Sequence, residues 1–239
     1  MMASTNHVQP IAHRGCPHRY PENTLRALQN AGSSAGAVEF DVRRCGTGES
    51  VVIHDKRLDR VTDVDGLVSD TSVSELQQVH VAGSTAHVPT LQEVFQTVST
   101  DVTLHIELKE PSVIDDVVMY INQFDHDVIV SSFAPTALTA AVSAGLTDVA
   151  LLFATDPQDA LMRAIEIGCT AVHPSASLCI ETDIVSAAHE QGLYVNAWTV
   201  EDAETLTALA RISGDDHSTA VDGVIIDDCS LIERCQMLG

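Results

Sequence analysis

Short β-branched and apolar runs alternate along this chain with longer stretches in which apolar residues recur at helical spacing. The extended runs are PIAH (10–13), AVEFDV (37–42), TLHIEL (103–108), DVIVSS (127–132), DVALLF (148–153), TAVHP (170–174), LYVNAW (193–198) and DGVIID (222–227). Between them, helical periodicity covers 23–31, 91–98, 114–121, 135–143, 157–167, 184–190 and 203–210. Alternation of this kind predicts parallel strands joined by crossover helices. A closed barrel and an open doubly wound sheet share the pattern, and the count of eight strands favours closure. The 239 residues match the roughly 250 of one (β/α)₈ barrel, so residues 1–239 are expected to form a single TIM barrel.

Punctuation supports these boundaries. Thr90 before LQEV, and Asp156 before Pro157, are placed to cap helices. Gly145, Gly168 and Gly192 fall between a helix and the next strand, where a left-handed residue is expected. The passage 43–89 holds only a VVIH run and a weak helix, 73–79, too little for a large inserted subdomain. The uncharged span 128–147 is long enough for a membrane helix. Its serines, threonines, Pro135 and Gly145 instead predict strand, turn and amphipathic helix.

Charge changes the picture. Thirty-four acidic residues face twelve basic ones, a net charge of −22, and the only lysines are Lys56 and Lys109. Such a surface repels nucleic acid and anionic membranes, so neither is an expected partner. Scarce lysine adds the hypothesis that the chain works in concentrated salt, where self-repulsion is screened. The six scattered cysteines form no CxxC or zinc-type spacing and are read as reduced thiols. No signal peptide is visible in Met1–Val8, which leads to an expectation of cytoplasmic location.

Strand ends are where a barrel keeps its chemistry. In AVEFDV, Glu39 and Asp41 share one face while Val38, Phe40 and Val42 share the other. Two inward carboxylates need either a divalent cation or arginine partners such as Arg43 or Arg44, and the spacing alone leaves both open. The next inward set, His105, Glu107 and Lys109, brings a third acid and one of the two lysines to the same mouth. Three carboxylates suit a hard ion such as Mg²⁺ or Ca²⁺. His13 and His54 end the extended runs flanking this strand, positions suited to a general acid and base. His105 lies deeper and is expected in packing or in hydrogen bonding behind the acids. His173 is open between core and site.

HRG with PENT (13–15, 21–24), EFDV (39–42), VVIHD (51–55), LDRVT (58–62), IELK (106–109), SSF (131–133), AWTV (197–200) and DGVIIDD (222–228) together resemble the glycerophosphodiester phosphodiesterase family, in order over nearly the whole chain. The resemblance implies a (β/α)₈ barrel that hydrolyses a small glycerophosphodiester to glycerol phosphate and an alcohol, through a cyclic phosphate. It implies one divalent cation on Glu39, Asp41 and Glu107, catalytic His13 and His54, and phosphate contacts from Arg14 and Lys109. Trp198 matches an aromatic residue beside the glycerol, and Glu22 and Asn23 match a loop brace. The family's usual ending of the last strand is changed after Asp227, where the chain reads DCS. A related phospholipase D-like barrel acting on lysolipid or sphingolipid headgroups, and a non-catalytic barrel that binds a metal or phosphate, are the alternatives. An amidohydrolase-like barrel would need an H-x-H pair on the first strand, which is absent.

Overall fold

The computed structural model describes residues 8–211 and 220–237. Eight parallel strands close on themselves: β1 (Gln9–His13), β2 (Ala37–Arg44), β4 (Thr103–Leu108), β5 (Val128–Ser132), β6 (Val149–Phe153), β7 (Ala171–Pro174), β8 (Tyr194–Val200) and β9 (Gly223–Ile226). Closure is made by β1, which pairs with β2 on one side and β9 on the other. All eight lie on the predicted runs. A ninth strand, β3 (Ser50–Val52), pairs antiparallel with the end of β2 and stands outside the barrel.

Helices α1 (Leu25–Ala35), α3 (Leu91–Thr97), α4 (Ile114–Gln123), α5 (Pro135–Ser143), α6 (Pro157–Ile167), α8 (Ile184–Glu190) and α9 (Ala203–Arg211) match predicted segments, three of them to the residue. The first begins two residues late because Thr24 is its cap, accepting from the Ala27 N–H, and Asn23 is left-handed. Thr90 forms a capping box with Glu93, and Gly145, Gly168 and Gly192 are left-handed after their helices. Asp156 departs from expectation: it adopts a left-handed conformation, and its side chain makes no capping bond. Pro157 in the first turn presets the helical φ and leaves one fewer free N–H, and the helix starts without a side-chain cap. The short helices α7 (Ala176–Glu181) and α10 (Ile232–Met237) were not predicted, since one or two turns carry too little periodicity to read.

The main core lies between barrel and helices. Val38, Phe40 and Val42 of β2, and Leu104, Ile106 and Leu108 of β4, point outward into it beside Leu28, Leu91 and Phe95. Residues 43–89 close a smaller cluster of their own around Val51, Ile53, Leu58, Leu76 and Val88. It includes helix α2 (Val73–Leu76), capped by a Ser72/Glu75 box. The span 128–147 is strand, turn and helix, and no helix among the described residues is long and apolar enough to cross a membrane.

The expectation that all six cysteines are reduced thiols is overturned. Cys16 and Cys229 form a disulfide, while Cys45, Cys169, Cys179 and Cys235 are free and buried. Spacing along the chain gave no sign of the pair because 213 residues separate its members. Barrel closure brings them together.

Candidate functional site

Register assembles the site. His13 lies opposite Glu39 across β1 and β2, and Asp41 lies opposite Glu107 across β2 and β4. Opposed residues in neighbouring strands share a face, so four candidate side chains enter one end of the barrel together. All three acids are buried, Asp41 completely. One ligand oxygen from each of Glu39, Asp41 and Glu107 lies within 4.8 Å of the others, an arrangement able to hold a metal ion.

The acids are set in a chain of alternating charge. Lys109 Nζ approaches Glu107 at 2.5 Å and Asp41 Oδ1 at 2.8 Å. Arg14 Nε lies 3.2 Å from Asp41, and its Nη1 lies 3.1 Å from Glu22. Glu22 accepts two bonds from Arg60, which also pairs with Asp55. Asp55 holds His54 Nδ1 at 2.6 Å. Asn23, left-handed and buried, donates from Nδ2 to Asp41 Oδ2 at 2.8 Å. Glu22 and Asn23 therefore brace, as the sequence implied. The arginine partner of Asp41 is Arg14, whereas Arg43 donates to the His54 carbonyl and Arg44 pairs with Asp116.

Electrostatics fit a cation site. Burial raises the Glu39 carboxyl, and the charge of Asp41 adds to that despite His13. Glu107 is raised by burial and Asp41, against the pull of Lys109. Asp41 is also penalised by burial, but Lys109 and Arg14 outweigh it and hold its carboxyl well below the usual range. Two of three clustered carboxyls thus resist ionisation, as crowded like charges do, and a dication among them would offset that repulsion. Asp41 Oδ1 faces Lys109 yet accepts no hydrogen bond of good geometry, which leaves a buried oxygen for a further ligand.

Both histidines are oriented through Nδ1. Asp227 contacts His13 Nδ1 at 2.5 Å, which turns Nε2 toward Glu39 at 3.7 Å. Burial lowers the affinity of His13 for a proton, but Glu39 and Asp227 overcome it and the net shift is upward. His54 moves the other way: burial, Lys109 and Arg14 outweigh Asp41. Two histidines shifted in opposite directions suit an acid and a base working together.

A cavity of about 170 Å³ joins His13, Arg14, Glu39, His54 and Glu107 to an apolar wall of Phe133, Leu152, Trp198 and Ile225. Trp198 is fixed by its indole N–H, which donates to the His173 carbonyl at 2.7 Å, and Phe133 packs edge-on against it. Of the predicted site residues Asp41 and Lys109 are not on the cavity wall: Asp41 is fully buried behind it, and Lys109 reaches the site through the carboxylates. His105 and His173 lie deeper, their rings 6.0 Å apart, with His173 bonded to Asn196. Both are buried and off the cavity wall, so His173 sits with the core rather than among the residues that line the site. Asp55, Phe133 and the orienting role of Asp227 were missed. The signal for Asp227 was available, because a closed barrel makes its last strand a neighbour of its first.

The chain matches the model of the Glycerophosphoryl diester phosphodiesterase family over residues 13–231. It is 29% identical over 236 residues to a glycerophosphodiester phosphodiesterase of Caldanaerobacter subterraneus subsp. tengcongensis, covering 91% of this chain and 93% of the relative. A phosphodiesterase of Oleispira antarctica, solved in complex with the product sn-glycerol-3-phosphate, superposes with a TM-score of 0.83 at 29% identity, covering 96% of each chain. A glycerophosphodiester phosphodiesterase of Thermotoga maritima does so with a TM-score of 0.81 at 28% identity, over 95% of this chain and 98% of that one. Matched along nearly its full length in sequence and in fold, the chain belongs to the glycerophosphoryl diester phosphodiesterase family of phosphoric diester hydrolases.

Proposed function

We propose that the chain hydrolyses small glycerophosphodiesters to glycerol phosphate and an alcohol, with one divalent cation, Mg²⁺ or Ca²⁺, on Glu39, Asp41 and Glu107. The observation that carries this reading is a cluster of three buried carboxylates, two of which line the same cavity as two carboxylate-tethered histidines. A bound ion would supply Lewis-acid stabilisation of charge developing on the phosphoryl oxygens. Arg14 and Lys109 bring fixed positive charge to the same anionic group, and preorganised charge of this kind is usually the largest catalytic contribution.

His13 and His54 handle the protons. With Nδ1 held by Asp227 or Asp55, each ring keeps Nε2 for the reaction. One takes the proton of the glycerol hydroxyl next to the ester as its oxygen attacks phosphorus, and the other protonates the departing alcohol. Water then opens the cyclic phosphate with the two roles exchanged. Trp198 and Phe133 offer an apolar face to the glycerol carbons and exclude water from that side.

The test is ³¹P NMR of glycerophosphocholine, glycerophosphoethanolamine and glycerophosphoglycerol incubated with the chain and Mg²⁺ or Ca²⁺, before and after chelation. Glycerol phosphate should form with metal, stop in excess chelator and resume when metal returns. Full turnover in excess chelator overturns the metal assignment, and no turnover of any diester overturns the activity.

A further inference from the structure

Cys16 and Cys229 each follow a barrel strand by three residues, Cys16 after His13 of β1 and Cys229 after Ile226 of β9. These strands are hydrogen-bonded neighbours, with Ala12 opposite Ile226. The disulfide therefore ties together the two loops that leave the barrel at the seam between its first and last strands. The same two loops carry the bond between His13 and Asp227, and a backbone bond from the His18 N–H to the Asp227 carbonyl at 3.4 Å.

The β1 loop holds a conformation that most residues resist. Arg14, Gly15 and Cys16 have φ of 48°, 79° and 66°, three consecutive residues in the left-handed region, where only glycine is free of steric penalty. On one side the loop lies against α1, so closely that a Cβ on Gly15 would meet the Ala27 backbone at 2.6 Å. On the other side the disulfide holds it. Cys16 also donates its N–H to the His13 carbonyl at 2.8 Å, so the bridged residue is bonded directly to the histidine backbone.

We propose that the Cys16–Cys229 bridge is a positioning cross-link for turnover: it clamps the two loops so that Asp227 holds His13 in its working orientation, and its reduction slows the enzyme reversibly. The proposal rests on His13 being the acid or base of the reaction described above. Cys16 is fully buried and Cys229 half-buried, so a small thiol reaches the bridge at Cys229. Its thiolate attacks Cys229 Sγ, giving a mixed disulfide and releasing Cys16 as a thiolate, which takes a proton. A second thiol breaks the mixed disulfide, leaving Cys229 as a thiol and the reductant as its own disulfide. Two electrons and two protons pass from two thiols to the protein, and a small disulfide reverses the exchange. Burial keeps the Cys169, Cys179 and Cys235 thiols protonated, up to about 11 or 12, so they do not compete for the bridge.

The test compares kcat and KM of the metal-saturated full chain on glycerophosphocholine, bridged and after dithiothreitol, with circular dichroism confirming the fold in both. Reduction should lower kcat by about tenfold, in the range lost when a catalytic group shifts slightly, and change KM by less than about twofold. Oxidised glutathione should restore it. The Cys16→Ser/Cys229→Ser double variant should match the reduced enzyme and ignore thiols, and Asp227→Asn should be slow already and lose nothing more on reduction. Equal kcat in bridged and reduced enzyme overturns the proposal, as does a loss that persists undiminished in Asp227→Asn. If the double variant does not fold, the reversible cycle in the wild-type chain decides. A second readout needs no turnover: the downfield imidazole N–H resonance of His13, assigned by its loss in Asp227→Asn, should be present in bridged protein and lost on reduction. Its survival in reduced protein overturns the proposal, whereas its loss in a chain that hydrolyses no diester sinks the function reading alone.

Discussion

Two polar clusters share the barrel interior, and the chain treats them oppositely. At the mouth, Glu39, Asp41 and Glu107 are surrounded by Arg14, Lys109 and two tethered histidines. Beneath, His105, His173 and Asn196 have no counter-charge among the described residues. Burial pushes His105 down to about 4, and burial with the neighbouring His105 pushes His173 down to about 3. Both rings are therefore neutral at pH 7, and one hydrogen bond with ring packing is enough to keep them. Carboxylates buried in the same interior cannot be kept so cheaply. A chain with only two lysines has placed one of them there. The contrast separates polar residues that fill space from those arranged to hold charge.

The largest expected effect breaks the upper cluster. His13→Ala or His54→Ala should lower kcat by about 10²–10⁴, the usual loss for a positioned acid or base. Steady-state kinetics with saturating metal measure it, and an unchanged rate removes that residue from the mechanism.

His173→Leu sharpens the comparison from below. It should leave kcat within about threefold, while freeing Asn196 of its partner should cost stability by about 1–3 kcal/mol at pH 8. Acid response should differ in sign-defined fashion. The folded protein holds His173 neutral until about pH 3, while the unfolded chain protonates it near 6.5. Its contribution to stability is thus complete above pH 6.5 and is lost as pH falls from there toward 3. The slope is at most about 1.4 kcal/mol per pH unit for one proton. Urea unfolding between pH 4 and 7 should show a shallower slope in the variant, and equal slopes would contradict a buried neutral ring.

The smallest effect per site concerns the outer surface, where exposed ion pairs are worth about 0–1 kcal/mol each. Self-repulsion of −22 charges predicts a denaturation midpoint that rises with KCl. Maximal stability in dilute buffer would remove the idea that the chain is adapted to concentrated salt.

Much of the fold and the site was legible because its signals are local. Alternation in AVEFDV and TLHIEL set which side chains face inward, and Gly145, Gly168 and Gly192 marked helix ends through the one conformation glycine adopts without penalty. Asp156 misled because capping depends on backbone geometry that residue type does not fix. The helices α7 and α10 were missed because six residues carry less than two turns of pattern.

The sequence by itself determined the alternating strands and helices, the inward placement of Glu39, Asp41 and Glu107, and the set of histidines and cations near them. Tertiary structure decided who meets whom. Lys109 spans two strands to reach Asp41, Arg14 rather than Arg43 or Arg44 answers the buried acid, and Asp227 and Cys229 return after more than two hundred residues to His13 and Cys16. The physical reason is that pleat and helix periods are properties of a few neighbouring residues. The closure that sets β9 beside β1 depends on the tilt and stagger of all eight strands at once.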